Sequence, residues 1–156
     1  MAKEKKIKKV EIVNRKAKFE FQFLQEYEAG IVLFGTEIKS IRAGNANLKD
    51  AFCYIRKGEL FIKNMFIGEY RFGTHYNHET RRLRKLLLKK GELKKLERRV
   101  KEKGNTIVPY RLFISERGFA KLTLQLSQGK KSYDKRESIK AKDNKREMDR
   151  IKRGRF

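Results

Sequence analysis

Phe19, Phe21 and Phe23 alternate with Glu20 and Gln22, the period-two pattern of a strand with one buried and one wet face. After Tyr27-Glu28-Ala29-Gly30, the run Ile31-Val32-Leu33-Phe34 reads as a second strand that ends at Gly35. The period then changes. In TEIKSIRAG, Thr36–Gly44, Ile38 and Ile41 share a face, Thr36 is placed to cap and Gly44 stands at C′, so a short helix is predicted. Ala51–Gly68 predicts a hairpin turning at Lys57-Gly58, and residues 69–82 read as loop. Leu86-Leu87-Leu88 is a short buried run compatible with strand or helix. From Glu92 a helix is predicted, because Leu93, Leu96 and Val100 fall on one face and Gly104 stops it. Val108–Ile114 and Phe119–Leu126 form a last hairpin around Glu116-Arg117-Gly118, with Pro109 suited to a strand start or an edge.

About six strands and two helices without βαβ alternation predict a mainly β fold, a small antiparallel β-barrel with helices in its connections. Residues 1–17 are lysine-rich and unpatterned and read as a mobile arm, leaving 18–131 as the body and 132–156 as a tail. The tail has no apolar stripe: Met148 and Ile151 lie on one side of a helical wheel and Ile139 opposite. It is nevertheless suited to helix. Neither Pro nor Gly intervenes between Lys130 and Arg153, and Asp143/Arg146, Glu147/Arg150 and Asp149/Arg153 stand at supporting spacings. A lone helix of this kind is marginal in water, so the tail is expected to be unordered in the free chain.

The 156 residues carry 42 Lys and Arg against 19 Asp and Glu, a formal charge of +23, which draws in polyanions. Nucleic acid, an anionic membrane and an acidic protein are the candidates. No apolar run approaches the ~20 residues of a spanning helix, and no h-region follows the basic start, so a cytoplasmic location is expected. A membrane surface is disfavoured because the basic segments lack a wide apolar face. The single Cys53, flanked by Phe52, Tyr54 and Ile55, reads as a small apolar strand residue rather than a nucleophile.

Signs of an enzyme are absent. His75 and His78 are the only histidines, and even with Cys53 they fall short of a structural zinc site, so no metal and no cofactor are expected. They are expected to be solvated or to face RNA. No phosphate-binding glycine motif and no nucleophile–base set occurs. The basic residues are informative because they cluster: Arg81–Lys103 holds twelve Lys/Arg against three Glu, and Lys130–Phe156 twelve against five acids. Clusters of one sign on a barrel with Phe and Tyr on its strands suit nucleic-acid binding, with aromatics for stacking and cations along the backbone. Composition does not choose between DNA and RNA.

Four stretches are more specific. YEAGIVLFGTEIKSIRAG (Tyr27–Gly44), RKLLLKK (Arg84–Lys90), KG-T-VP (Lys103–Pro109) and GKKSYDKRESIKAKD (Gly129–Asp143) strongly resemble the SsrA-binding protein family, the small protein B partner of transfer-messenger RNA. The resemblance runs from about Asn14 to about Arg150, with the motifs in family order. It implies a barrel of the OB, oligonucleotide-binding, type with flanking helices. It also implies binding to the tRNA-like domain of transfer-messenger RNA rather than to DNA, and delivery of that RNA to stalled ribosomes without catalysis by the protein. The further partners implied are rRNA of the decoding region and messenger channel, and elongation factor Tu.

Carried over by position, the resemblance implies that Glu28 takes part in RNA recognition, by accepting from base or sugar donors or by orienting a neighbouring cation. A glutamate organising the turn before Gly30 is the alternative. Leu87 and Lys89 match RNA contacts after RK, although Leu87 fits a core equally well and many members have His or Asn at Lys89. Lys121 matches a basic contact beside Phe119, which can stack on a base. Lys130 and Lys131 are the lysines of GKK. In the tail Asp134, Lys135, Arg136, Lys140 and Asp143 match positions implied to engage the ribosome, where rRNA phosphates would hold a basic helix. Tyr133 departs from the family, a number of whose members have His there. A structural ribosomal or ribosome-assembly protein binding rRNA fits the composition as well.

Overall fold

The computed structural model describes residues 9–154, with side chains for all of these except Ser132 and Tyr133. Its elements in order are β1 (Glu11–Val13), α1 (Arg15–Glu20), β2 (Phe21–Ile31), α2 (Gly35–Arg42), β3 (Ala46–Asn47), β4 (Phe52–Arg56), β5 (Glu59–Lys63), β6 (Phe66–Ile67), β7 (Arg84–Leu87), α3 (Lys90–Val100), β8 (Asn105–Ile114), β9 (Ala120–Gly129) and α4 (Ser132–Arg153). Every pairing is antiparallel. The strands run β8-β4-β5-β7-β2-β9, and β9 pairs back onto β8, so six strands close in a ring, with β1 added beside β8 and β3-β6 as a separate pair.

The ring encloses the core. Leu122, Leu124 and Leu126 of β9 face Leu112 and Ile107 of β8 and Ala29 and Tyr27 of β2, with Ile62, Leu60 and Leu86 completing the wall. Burying a Leu or Ile side chain is worth about 1.5–3 kcal/mol, so this cluster supplies the driving force. Leu96 of α3 is fully buried, with Leu93 and Val100 packed beside the core, as the helical spacing predicts. The β4–β5 turn is a two-residue loop in which Lys57 and Gly58 both have positive φ (50° and 73°), the twist that matches a tight hairpin.

Several expectations are corrected. The arm does not extend to residue 17: β1 pairs with β8, and Asn14 then caps α1, its Oδ1 accepting from the Ala17 amide while its own amide donates to the Tyr110 carbonyl. Phe19 therefore lies in a helix, not a strand. The two strands read before Gly35 are one, because β2 continues through Gly30. The cap of α2 is Phe34 rather than Thr36; the Glu37 carboxylate accepts from the Phe34 amide at 2.8 Å. Pro109 sits inside β8, at a register shift between Pro109 and Arg111. The tail, expected to be unordered when free, is the 22-residue helix α4.

Among the described residues no Lys/Arg–Asp/Glu pair within α4 approaches to 4.0 Å, so the expected ion pairs are not what holds it. Strong helix formers do, with Asp134 in the first turn and Arg150, Lys152 and Arg153 in the last, each sign complementing the helix dipole. Among the described residues the helix is tied to the body at its root. The Lys130 amide donates to the Glu20 carbonyl at the end of α1, and its Nζ reaches Ser138 Oγ at 3.3 Å. Beyond that root Ile139, Met148 and Ile151 remain 44–54% exposed.

Candidate nucleic-acid interface

Residues directly opposite one another in antiparallel strands project to the same face. Register therefore defines an outward row across four strands: Leu87 opposite Gly30, Gly30 opposite Lys121, and Lys121 opposite Phe113. The next row holds Glu28, Thr123 and Arg111. Phe119 precedes β9 on the side of Lys121 and is 65% exposed. The expected residues Glu28, Leu87, Phe119 and Lys121 thus meet on one outer face although up to ninety-odd positions separate them. Gly30 keeps its centre low: a Cβ there would lie 3.6 Å from Leu87 Cβ, so the Leu87 side chain leans over the glycine.

On this face Lys121 Nζ donates to Glu28 Oε1 at 2.7 Å, with both side chains substantially exposed. No turn exists at Gly30 for Glu28 to organise, since β2 runs on to Ile31. The carboxylate instead fixes the direction of the lysine. Leu87 is 51% exposed and so is not part of the core. Phe113 and Arg111 join the face unannounced, with the Arg111 guanidinium 4.6 Å above the Phe113 ring. Their signal in the sequence is hidden by the extra residue near Tyr110, which reverses the alternation along β8.

Lys89 follows β7 as the exposed N-cap of α3, two residues beyond Leu87. Lys130 and Lys131 are not brought to this group. They lie at the far end of β9, about 30 Å from Lys121 at the rise of a strand, where α4 departs. Along α4 the side chains of Asp134 and Lys135 are half-buried and those of Arg136, Lys140 and Asp143 exposed. The Tyr133 side chain lies outside the described residues.

The basic cluster that starts at Arg81 is not uniformly a surface. Arg84 is fully buried, its Nε donating to Glu37 Oε1 at 2.8 Å, and its terminal nitrogens donating to the carbonyls of Met65, Arg82, Glu79 and Thr80. Arg82 donates to both Glu37 oxygens and lies 4.1 Å from the Phe34 ring. Burial pushes the Glu37 carboxyl up, but hydrogen bonds from Arg82 and the Phe34 amide, with the Arg84 charge, outweigh it and hold the group below its ordinary range. This network ties α2 to the segment between β6 and β7, and it has no periodic signature in sequence. Nor has His78, which is buried rather than solvated or RNA-facing: its Nε2 donates to the Ile67 carbonyl at 2.9 Å and its Nδ1 meets Thr36 Oγ1 at 2.8 Å. His75 is exposed. Burial pushes the Cys53 thiol far up, which leaves no thiolate for nucleophilic chemistry. Among the described residues no three potential metal ligands converge, and no helix is long and apolar enough to cross a membrane.

Known proteins with this pattern of residues exist. The family model described as SmpB protein matches residues 11–154. An SsrA-binding protein of Phocaeicola vulgatus is 58% identical over 142 residues, covering 91% of this chain and 95% of that one. An SsrA-binding protein of Cytophaga hutchinsonii is 58% identical over 146 residues, covering 94% and 95%. Among solved structures, a chain described as "tmRNA-SmpB: a journey to the center of the bacterial ribosome" superposes with a TM-score of 0.67 at 44% identity, over 79% of this chain and 86% of that one. The match begins at β1 and ends at Gly154, just past α4, so it takes in the ring, the outward face and the tail together, and the chain belongs to the SmpB family.

Proposed function

We propose that this protein binds transfer-messenger RNA and acts with it on the ribosome in trans-translation, holding the tRNA-like domain against the face formed by β7, β2, β9 and β8. The observation that carries this reading is the convergence of Glu28, Leu87, Phe119 and Lys121 on that face, in a chain whose relatives are SsrA-binding proteins. Lys121 meets a phosphate, Phe119 offers a ring to an unpaired base, and Leu87 packs on sugar or base edges. The closed ring is read as a barrel of the oligonucleotide-binding type, working in the cytoplasm and catalysing nothing. The basic α4 enters the messenger channel of a stalled ribosome, where rRNA phosphates hold Lys135, Arg136 and Lys140. Elongation factor Tu accompanies the complex as it is delivered.

The test is a filter-binding titration with the isolated tRNA-like domain across a salt series. The logarithm of affinity falls with the logarithm of salt by about 0.7–0.9 per phosphate contact, and Lys121→Ala makes the slope shallower by about one contact. Binding that ignores salt would remove the reading.

A further inference from the structure

Between the start of α2 and the loop that precedes β7 lies an open cleft of about 610 Å³, walled by Phe34, Thr36, Lys39, His75 and Tyr76. None of Glu28, Leu87, Lys89, Phe119 and Lys121 lines it. The aromatic groups on and beside it are unusually bare: Tyr76 is 89% exposed and Phe34 54%, and Phe72 of the same loop 71%. The backbone that carries Phe72 and Tyr76 is held by hydrogen bonds. Asn77 clamps Tyr70 from both sides, Oδ1 accepting from its amide and Nδ2 donating to its carbonyl, each at 2.9 Å. The Gly73 amide donates to the Tyr70 carbonyl and the Tyr76 amide to that of Gly73. Buried His78 bolts the end of the loop to Ile67. A rigid loop presenting unburied rings has no packing explanation.

Cations accompany three rings of this region, Tyr70, Phe72 and Phe34. Lys39 Nζ stands 5.3 Å over Tyr70, the Arg71 guanidinium 5.7 Å from Phe72 and that of Arg82 4.1 Å from Phe34. Glu79 is the one acid on the cleft wall. Bare rings interleaved with cations suit unstacked bases on a charged backbone, whereas a duplex hides its base faces in the stack. We propose that this cleft is a second nucleic-acid site that takes one splayed-out nucleobase of single-stranded RNA, stacked against Tyr76 and Phe34, with Lys39 on a flanking phosphate. It rests on the RNA-binding reading above but uses different residues.

The floor adds an acceptor. His78 Nε2 faces a carbonyl oxygen and so carries the proton; in the neutral ring Nδ1 is then an acceptor, and the Thr36 hydroxyl donates to it. Thr36 Oγ1 is left only as an acceptor. It is therefore placed to accept from a donor on the base edge.

The experiment is fluorescence anisotropy with labelled oligo(A), oligo(C) and oligo(U) of about eight nucleotides and a duplex of the same length, a span within the site sizes of single-strand binders. Tyr76→Ala, a change to a side chain that touches little else, weakens single-strand binding by about 5- to 150-fold with an unaltered melting temperature. The proposal is overturned if Tyr76→Ala binds single strands like the wild type, or if the duplex binds as tightly as they do. Parallel titration of wild-type protein with transfer-messenger RNA separates the two claims. If that RNA does not bind while single strands bind through Tyr76, the proposed function fails and the cleft stands.

Discussion

Replacing Glu28 with alanine tests whether an acid can promote RNA binding by acting through a neighbouring lysine. The pair is short, 2.7 Å, but its side chains are 54% and 39% exposed, so its contribution to folding is at most about 1 kcal/mol. For a chain of this size that corresponds to a melting shift of no more than about 2–4 °C. The effect on binding is larger. A free lysine loses up to about 2 kcal/mol of rotamer entropy when it is fixed on a phosphate, and Glu28 has already restricted Lys121. Glu28→Ala should therefore weaken RNA binding by about 1–2 kcal/mol, despite removing a negative charge from a phosphate site. Glu28→Gln, which keeps an acceptor, should lose less. The assay is a double-mutant cycle on the tRNA-like domain with Lys121→Ala, read at several salt concentrations. Once Lys121 is gone, removing Glu28 should cost nothing further, so the coupling should equal nearly the whole single-mutant effect. Tighter binding by Glu28→Ala would show the acid to be only an obstacle, and additive losses would show that it contacts RNA by itself. A melting temperature lowered by much more than 4 °C would make it structural.

Glu37→Gln strands Arg82 and Arg84 beside a neutral amide and should cost about 3–5 kcal/mol in chemical denaturation. The folded carboxyl lies below its ordinary value of 4.5, so its stabilisation is complete above that value and disappears as pH falls through the lower folded one. Wild-type stability should accordingly drop more steeply than that of the variant below about pH 4.5; parallel acid limbs in thermal melts would contradict this. His78→Leu orphans the Ile67 carbonyl and should lower urea stability by about 1–3 kcal/mol, with partial recovery in His78→Gln; an unchanged midpoint would deny the bond its role. Truncation after Lys131 should remove the circular-dichroism signal of α4 while moving the melting temperature by only a few degrees, because α4 is exposed beyond its root. The truncated chain should still bind the tRNA-like domain but fail to support tagging on a message without a stop codon. Normal tagging, or lost RNA binding, would refute that separation.

Local order was legible wherever one period held and one residue type decided a turn. The Leu93, Leu96 and Val100 face gave α3, the Lys57-Gly58 dipeptide gave the hairpin of β4 and β5, and Gly44, Gly104 and Gly118 stand at positive φ as their positions suggested. The resemblance to a known family named Glu28, Leu87 and Lys121 as candidates one by one, with Phe119 added as the ring beside Lys121. What the sequence could not reveal is which faces those residues share. One extra residue in β2 between Phe23 and Gln25, and another in β8 near Tyr110, reverse the alternation of the side chains. Phe21 and Phe23 thereby project outward, where Phe23 meets Tyr110 edge-on at 5.1 Å, while Tyr27 and Ala29 project inward. Charge misled for a related reason. Arg82 and Arg84 look in sequence like the lysines after them, and only the ring brings Glu37 from 45 and 47 positions away to make burial of a guanidinium tolerable. Composition and period report interactions among neighbours in the chain; register, bulges and buried ion pairs are set by contacts between distant segments, which exist only once the ring has closed.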